Sequence, residues 1–132
     1  MLYHLSRNQY LTTLNPQIPE CAVLAYEDCD IERVCFCKTI AGCLAALQDN
    51  GGDYYVYVPI KDIEVVKPKP EQVIDAKYTG EVWSLNPVDV ICIGKIRSDD
   101  WYRCCENPVI FRGKEEIVYR FYYKWRWLKK YK

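Results

Sequence analysis

The chain has 132 residues, half of them hydrophobic, and its 18 basic side chains balance 18 acidic ones. This length predicts a single domain over residues 1–132, and the hydrophobic share excludes a disordered chain. No apolar run approaches the ~20 residues that a membrane helix needs, and the first ten residues lack the pattern of a signal peptide. We therefore predict a cytoplasmic protein that does not enter membranes.

The predicted secondary structure alternates short strands with one helix. β-Forming residues bounded by turn residues predict strands over residues 2–6, 33–37, 53–60, 80–85 and 88–96. Thr39 is a suitable N-cap for a helix through Leu47, because Ile40, Cys43 and Leu44 follow at helical spacing.

Turn and proline residues predict the connections. The Asn-Gly-Gly run at 50–52 ends the helix, and two prolines make 11–20 an irregular loop. The prolines of 65–73 predict an extended connector outside the sheet. This order predicts an α+β fold, with a mostly antiparallel, split or curved sheet and one main helix.

The C-terminal segment is predicted to form a hairpin over residues 107–127 that turns near Gly113, followed by a basic tail over 128–132. In "EIVYRFYYKWRW" charged residues alternate with aromatic and aliphatic ones, which is typical of a half-buried strand. Residues 112–132 carry 8 basic and 2 acidic side chains, against 10 and 16 in the preceding part. This end of the chain can attract anions.

Three cations of that segment share one face of the predicted strand: Arg120, Lys124 and Arg126. They favour one hypothesis, a nucleic-acid-binding β-domain in which the cations contact phosphates. The alternative is a terminal strand with its rings in the core and its cations in water. Alternation favours this alternative, because it separates the rings from the charges.

The chain has eight cysteines, and their spacing does not predict a metal site. Zinc sites usually pair their cysteines as C-x2-4-C, whereas here the close pairs are 35 with 37 and 104 with 105. Cys35, Cys43 and Cys92 lie in apolar surroundings, so we predict small core residues.

The chain's single histidine, His4, and the strand residue Glu81 are the residues best suited to chemistry. A strand histidine can donate a hydrogen bond to a ligand hydroxyl, and a carboxylate can stabilise developing positive charge. The structural alternatives are a histidine that only supports the backbone and a glutamate that protects a sheet edge.

The order of four segments resembles the ADP-ribosyltransferase superfamily, especially small members with a His–Tyr–Glu type of site such as the rifampin-modifying enzymes. These segments are "LYHLS", "VCFCKTIAGCLAAL", "DYYVYVPIKDIEVVKP" and "YTGEVWSLNPVDVICIGKI", within residues 2–96. The resemblance implies an ADP-ribosyltransferase-like fold, NAD as a substrate and a macromolecular target, most simply a protein.

The resemblance also implies roles for four residues. His4 matches the histidine that binds the nicotinamide-side ribose, and Ser6 matches the small hydroxyl residue after it. Leu5 stands where the family has a glycine whose backbone holds the nicotinamide amide. Glu81 matches the glutamate that binds the ribose and stabilises an oxocarbenium-like transition state.

One position departs from the family. Its nicotinamide-stacking tyrosine falls on Cys35, with Phe36 next to it. A neighbouring aromatic could replace that ring: Tyr54, Tyr55 or Tyr78. Arg33 or a cation of the C-terminal tail is our candidate for binding the pyrophosphate, because cationic side chains bind phosphates well.

Two further functional hypotheses follow. The leading one is an NAD-dependent transferase from a phage or mobile element, acting as a toxin or as an inhibitor of host defence. The second is a non-catalytic protein-interaction module with a degenerate pocket, which inhibits a partner by binding; the cysteine at position 35 favours it.

Overall fold

The computed structural model describes residues 1–19, 28–47, 52–73, 76–111, 114–124 and 126–128. The strands, in chain order, are β1 (His4–Ser6), β2 (Thr13–Leu14), β3 (Val34–Cys37), β4 (Tyr54–Pro59), β5 (Glu81–Ser84), β6 (Val88–Ile96), β7 (Trp101–Phe111), β8 (Lys114–Tyr123) and β9 (Arg126–Trp127). The helices are α1 (Ile40–Leu47) and α2 (Ala76–Thr79). The strand pairs among these residues are all antiparallel, so the predicted α+β class is confirmed. No helix in the described ranges is long and apolar enough to cross a membrane.

The main sheet has the strand order β1-β4-β6-β2, and β9 also pairs with β6. Strand β3 pairs with β5, and one bridge between Tyr3 and Cys37 joins this pair to β1. At the bridge, each backbone N–H donates to the other residue's carbonyl, at 2.8 and 3.0 Å. The β3–β5 pair therefore continues the main sheet on the far side of β1.

Helix α1 covers one face of this arrangement. Thr39 Oγ1 accepts a hydrogen bond from the Gly42 N–H at 2.9 Å, which confirms the predicted N-cap. Ile40, Cys43 and Leu44 are buried in a cluster with residues of β1, β3, β4 and β6. The opposite face holds a second cluster, made of Leu14, Val34, Phe36, Tyr57, Val82, Val88 and Val90.

The connections differ from the prediction at two places. Thr13 and Leu14 form β2 inside the predicted loop, where Thr13 Oγ1 donates to Asp89 Oδ1 at 2.8 Å. Val66, in the predicted out-of-sheet connector, exchanges two 2.8 Å backbone hydrogen bonds with Trp83. The connector's prolines flank Val66 on one side only, so its own N–H can still join the sheet.

The C-terminal hairpin consists of β7 and β8, so it begins at Trp101, earlier than predicted. Its ladder ends at Tyr123, where the Lys124 N–H donates to the Asp100 carbonyl at 2.7 Å. The chain then crosses to the main sheet, where Arg126 pairs with Lys95. The turn at 112–113 and the tail at 129–132 lie outside the described residues.

Candidate functional site

The His4 side chain lies between β1 and β3 at the point where their backbone pairing stops. Its Nδ1 donates a 2.8 Å hydrogen bond to the Cys35 carbonyl oxygen. Its ring meets the ring of Phe36 edge-on, with 5.9 Å between centroids, and Phe36 is buried. Burial lowers the pKa of His4, and the hydrogen bond to Cys35 opposes this effect only in part. The lowered pKa favours the neutral imidazole, which supports the backbone through its hydrogen bond to Cys35.

Glu81, the first residue of β5, lies on the opposite face of the sheet from His4. It pairs with Cys37, while Phe36, the neighbour of His4, pairs with Val82. Successive side chains of a strand point to opposite faces, so Glu81 and His4 are on different sides. Trp83 Nε1 donates to Glu81 Oε2 at 2.9 Å on the Glu81 side. The predicted cleft shared by His4 and Glu81 is not formed.

The other predicted NAD contacts are divided between these faces. Leu5 is buried in the cluster under α1, and the Oγ of Ser6 accepts a hydrogen bond from the Asn8 N–H at 3.1 Å. Cys35 packs on the Glu81 side, beside Trp83. These residues therefore do not surround one ligand-sized space.

Phe36 and Tyr78 are two of the aromatic residues that the sequence proposed for the NAD site. Phe36 lies on the His4 face, so its ring does not replace the missing tyrosine beside Glu81. Tyr78 belongs to α2, but its side chain lies outside the described residues.

Arg33 is a structural residue. It is 2% exposed, and its Nη1 donates to the carbonyls of Asp28 and Ile31 at 2.7 and 2.9 Å. The guanidinium lies 4.2 Å from the centroid of the Trp83 ring, a cation–π contact. A pyrophosphate role for Arg33 is therefore inconsistent with its burial.

The Glu81 face opens into a cavity of about 320 Å³, which we name the Glu81 pocket. Its lining residues are Lys38, Lys67, Pro68, Pro70, Val73, Ala76, Lys77, Gly80, Glu81 and Val82. Glu81 is only 7% exposed, whereas the three lysines are exposed. The pocket thus combines a buried carboxylate, an apolar wall and three cations near solvent.

The start of β5 is fixed by the turn before it. Gly80 has φ +74°, a left-handed conformation that glycine adopts without a steric penalty, and its N–H closes α2 on the Ala76 carbonyl at 2.9 Å. Thr79 Oγ1 accepts the Glu81 N–H at 3.2 Å, and Thr79 is buried. This turn determines where the Glu81 side chain enters the pocket.

The pocket lysines were not identified from the sequence. Lys38 follows β3, Lys67 precedes Pro68 in the connector, and Lys77 lies in α2. The pairing of β3 with β5 and the bridge at Val66 bring these three segments together. No local spacing could have signalled this grouping.

The structure also bears on the cysteines and on the cations near the C-terminus. Among the described residues, no group of three or more histidine, cysteine or acidic side chains could hold a metal ion. A hydrogen bond to Cys43 and burial raise the pKa of the Cys37 thiol, which makes it unreactive. Of the predicted nucleic-acid contacts, Arg120 lies in β8, Arg126 in β9 and the exposed Lys124 between them, so they are not on one strand.

Comparison of this chain with protein-family models, with curated proteins and with solved structures finds no match.

Proposed function

We propose that the protein binds a nucleotide such as NAD in the Glu81 pocket. The observation that carries this proposal is the buried Glu81 carboxylate in a cavity of about 320 Å³ that three lysines also line. This volume is at the low end of the range for small-molecule sites, about 300–1,000 Å³. The sequence resemblance supplies NAD as the first ligand to test.

Each part of the pocket suits one part of such a ligand. A carboxylate accepts hydrogen bonds from ribose hydroxyls, and Trp83 Nε1 holds that of Glu81 at 2.9 Å. The apolar wall of Pro68, Val73 and Ala76 can pack against a ring or sugar face.

Transfer of ADP-ribose to a macromolecular target would require stabilisation of a positively charged ribose in the transition state. An ionised Glu81 carboxylate would supply this stabilisation. His4, on the other face, is a structural residue in this proposal, in contrast to its role in the family that the sequence resembles.

The test is NAD titration by calorimetry and by thermal unfolding, with Glu81→Gln and its opposite-face control His4→Asn. A hydrogen bond to a charged group contributes ~1.5–3 kcal/mol, so we expect Glu81→Gln to weaken NAD binding by about tenfold or more. His4→Asn should leave the Kd unchanged, although it can lower Tm. Absence of any NAD binding at millimolar concentration would overturn the proposal.

A second candidate is the non-catalytic interaction module, which is favoured by the separation of His4 and Glu81 onto opposite faces. Chromatography for free nicotinamide, with and without cell lysate, distinguishes the two. Nicotinamide release that Glu81→Gln abolishes would support the transferase. NAD binding without release, together with an unmodified stoichiometric partner, would support the interaction module.

A further inference from the structure

We propose that Lys38, Lys67 and Lys77 bind the phosphate groups of the ligand at the mouth of the Glu81 pocket. The identity of that ligand as a nucleotide rests on the function proposed above. The lysine site takes the place of Arg33, whose guanidinium is buried against Trp83.

The positions of the charges give the site its polarity. All three lysines are exposed, while Glu81 is 7% exposed, so the cations lie near solvent and the carboxylate lies deep. A phosphate at the deep end would be repelled by Glu81, whereas one at the mouth would meet ammonium groups from three segments. A ligand with both hydroxyls and phosphates therefore binds with its phosphates outward.

The three lysines are available for such a ligand. The ion pairs among the described side chains join Arg33 to Asp28 and Lys95 to Asp53, and neither includes a pocket lysine. A lysine in water is an adaptable point charge with three donors, which suits phosphate oxygens.

The test measures binding of sodium pyrophosphate and of NAD by calorimetry at about 50 and about 250 mM NaCl, because salt screens exposed charges. The variants are Lys38→Met, Lys67→Met and Lys77→Met, singly and combined. Lys61→Met is the matched control, since Lys61 is exposed but does not line the pocket. We expect each pocket variant to weaken both ligands by about threefold and the triple variant by about tenfold or more, with a smaller salt dependence.

The outcomes separate this inference from the proposed function. Pyrophosphate binding that depends on the pocket lysines supports the phosphate site even if NAD does not bind. NAD binding that the triple variant leaves unchanged overturns the phosphate site and leaves the proposed function standing. If neither ligand binds the wild-type protein, both proposals are refuted.

Discussion

Replacement of Gly42 by alanine tests the packing that holds the Glu81 turn. Gly42 lies in the first turn of α1, directly against the end of α2. A Cβ at this position would be 2.0 Å from the Thr79 carbonyl oxygen and 3.0 Å from Thr39 Oγ1, the helix cap. Ordinary contacts of this kind are 3.4 Å or longer, so α1 must move away from Thr79 or the backbone of Thr79 must move.

The expected cost follows from three opposing effects. Alanine gains about 1 kcal/mol over glycine within a helix. Overpacking of a core contact costs ~1–3 kcal/mol, and loss of the N-cap costs ~1 kcal/mol more. The free energy of unfolding should therefore fall by about 1–3 kcal/mol, which lowers Tm by roughly 3–12 °C for a domain of this size.

The assay is urea unfolding followed by circular dichroism, together with a thermal melt. The control is Ala45→Gly, on the same helix, which should cost only the helix propensity of about 1 kcal/mol. Because Thr79 Oγ1 holds the Glu81 N–H, Gly42→Ala should also weaken ligand binding in the Glu81 pocket. A Gly42→Ala protein as stable as wild type would refute the argument, because it would show that α1 and Thr79 separate without cost.

Three further predictions concern side chains that hydrogen-bond to the backbone. Burial lowers the pKa of His4 below its value of 6.5 in the unfolded chain, so the free energy of unfolding should keep its whole His4 contribution above pH 6.5 and fall as the pH drops below that value. Urea unfolding at several pH values should show a smaller fall for His4→Asn than for the wild-type protein. An equal fall in both proteins would contradict this prediction. Arg33→Met should cost ~2–3 kcal/mol of unfolding free energy, because it removes the hydrogen bonds of a buried guanidinium to the Asp28 and Ile31 carbonyls. Pyrophosphate affinity should not change, and weaker pyrophosphate binding would restore a ligand role for Arg33. The Tyr57 hydroxyl donates to the Asn8 carbonyl at 2.5 Å and accepts the Leu11 N–H at 3.2 Å. Tyr57→Phe should therefore lower the free energy of unfolding by ~1 kcal/mol and speed hydrogen exchange at the Leu11 amide. Unchanged exchange would show that other contacts hold the segment from Asn8 to Leu11.

Local patterns predicted much of the secondary structure. The strand over 88–96 and the helix beginning after Thr39 were predicted at their observed starts, because β-forming runs and helical spacing act over a few neighbouring residues. The two-residue strand at Thr13–Leu14 was missed. Its pairing depends on β6, more than seventy residues later, and no local pattern records that partner.

The candidate site was predicted less well, and the reason is the register of paired strands. The sequence identified Glu81 as a strand residue, and it does line a pocket. The sequence also identified His4 as a partner of Glu81 in one site. In a strand, however, a shift of one residue moves a side chain to the other face of the sheet. The bridge of Tyr3 with Cys37 and the pairing of Cys37 with Glu81 place His4 beside Phe36 instead.

The sequence by itself determined the fold class, the single main helix with its cap, and the residue types available for chemistry. Only the tertiary structure decided which of these residues meet, since that depends on backbone pairing between distant segments. This pairing buried Arg33 under Trp83, turned His4 away from Glu81 and grouped three lysines around one cavity. Secondary-structure propensities depend on residues that are close in the sequence. The site instead combines residues from different strands, and the register of those strands depends on how both faces of the sheet pack.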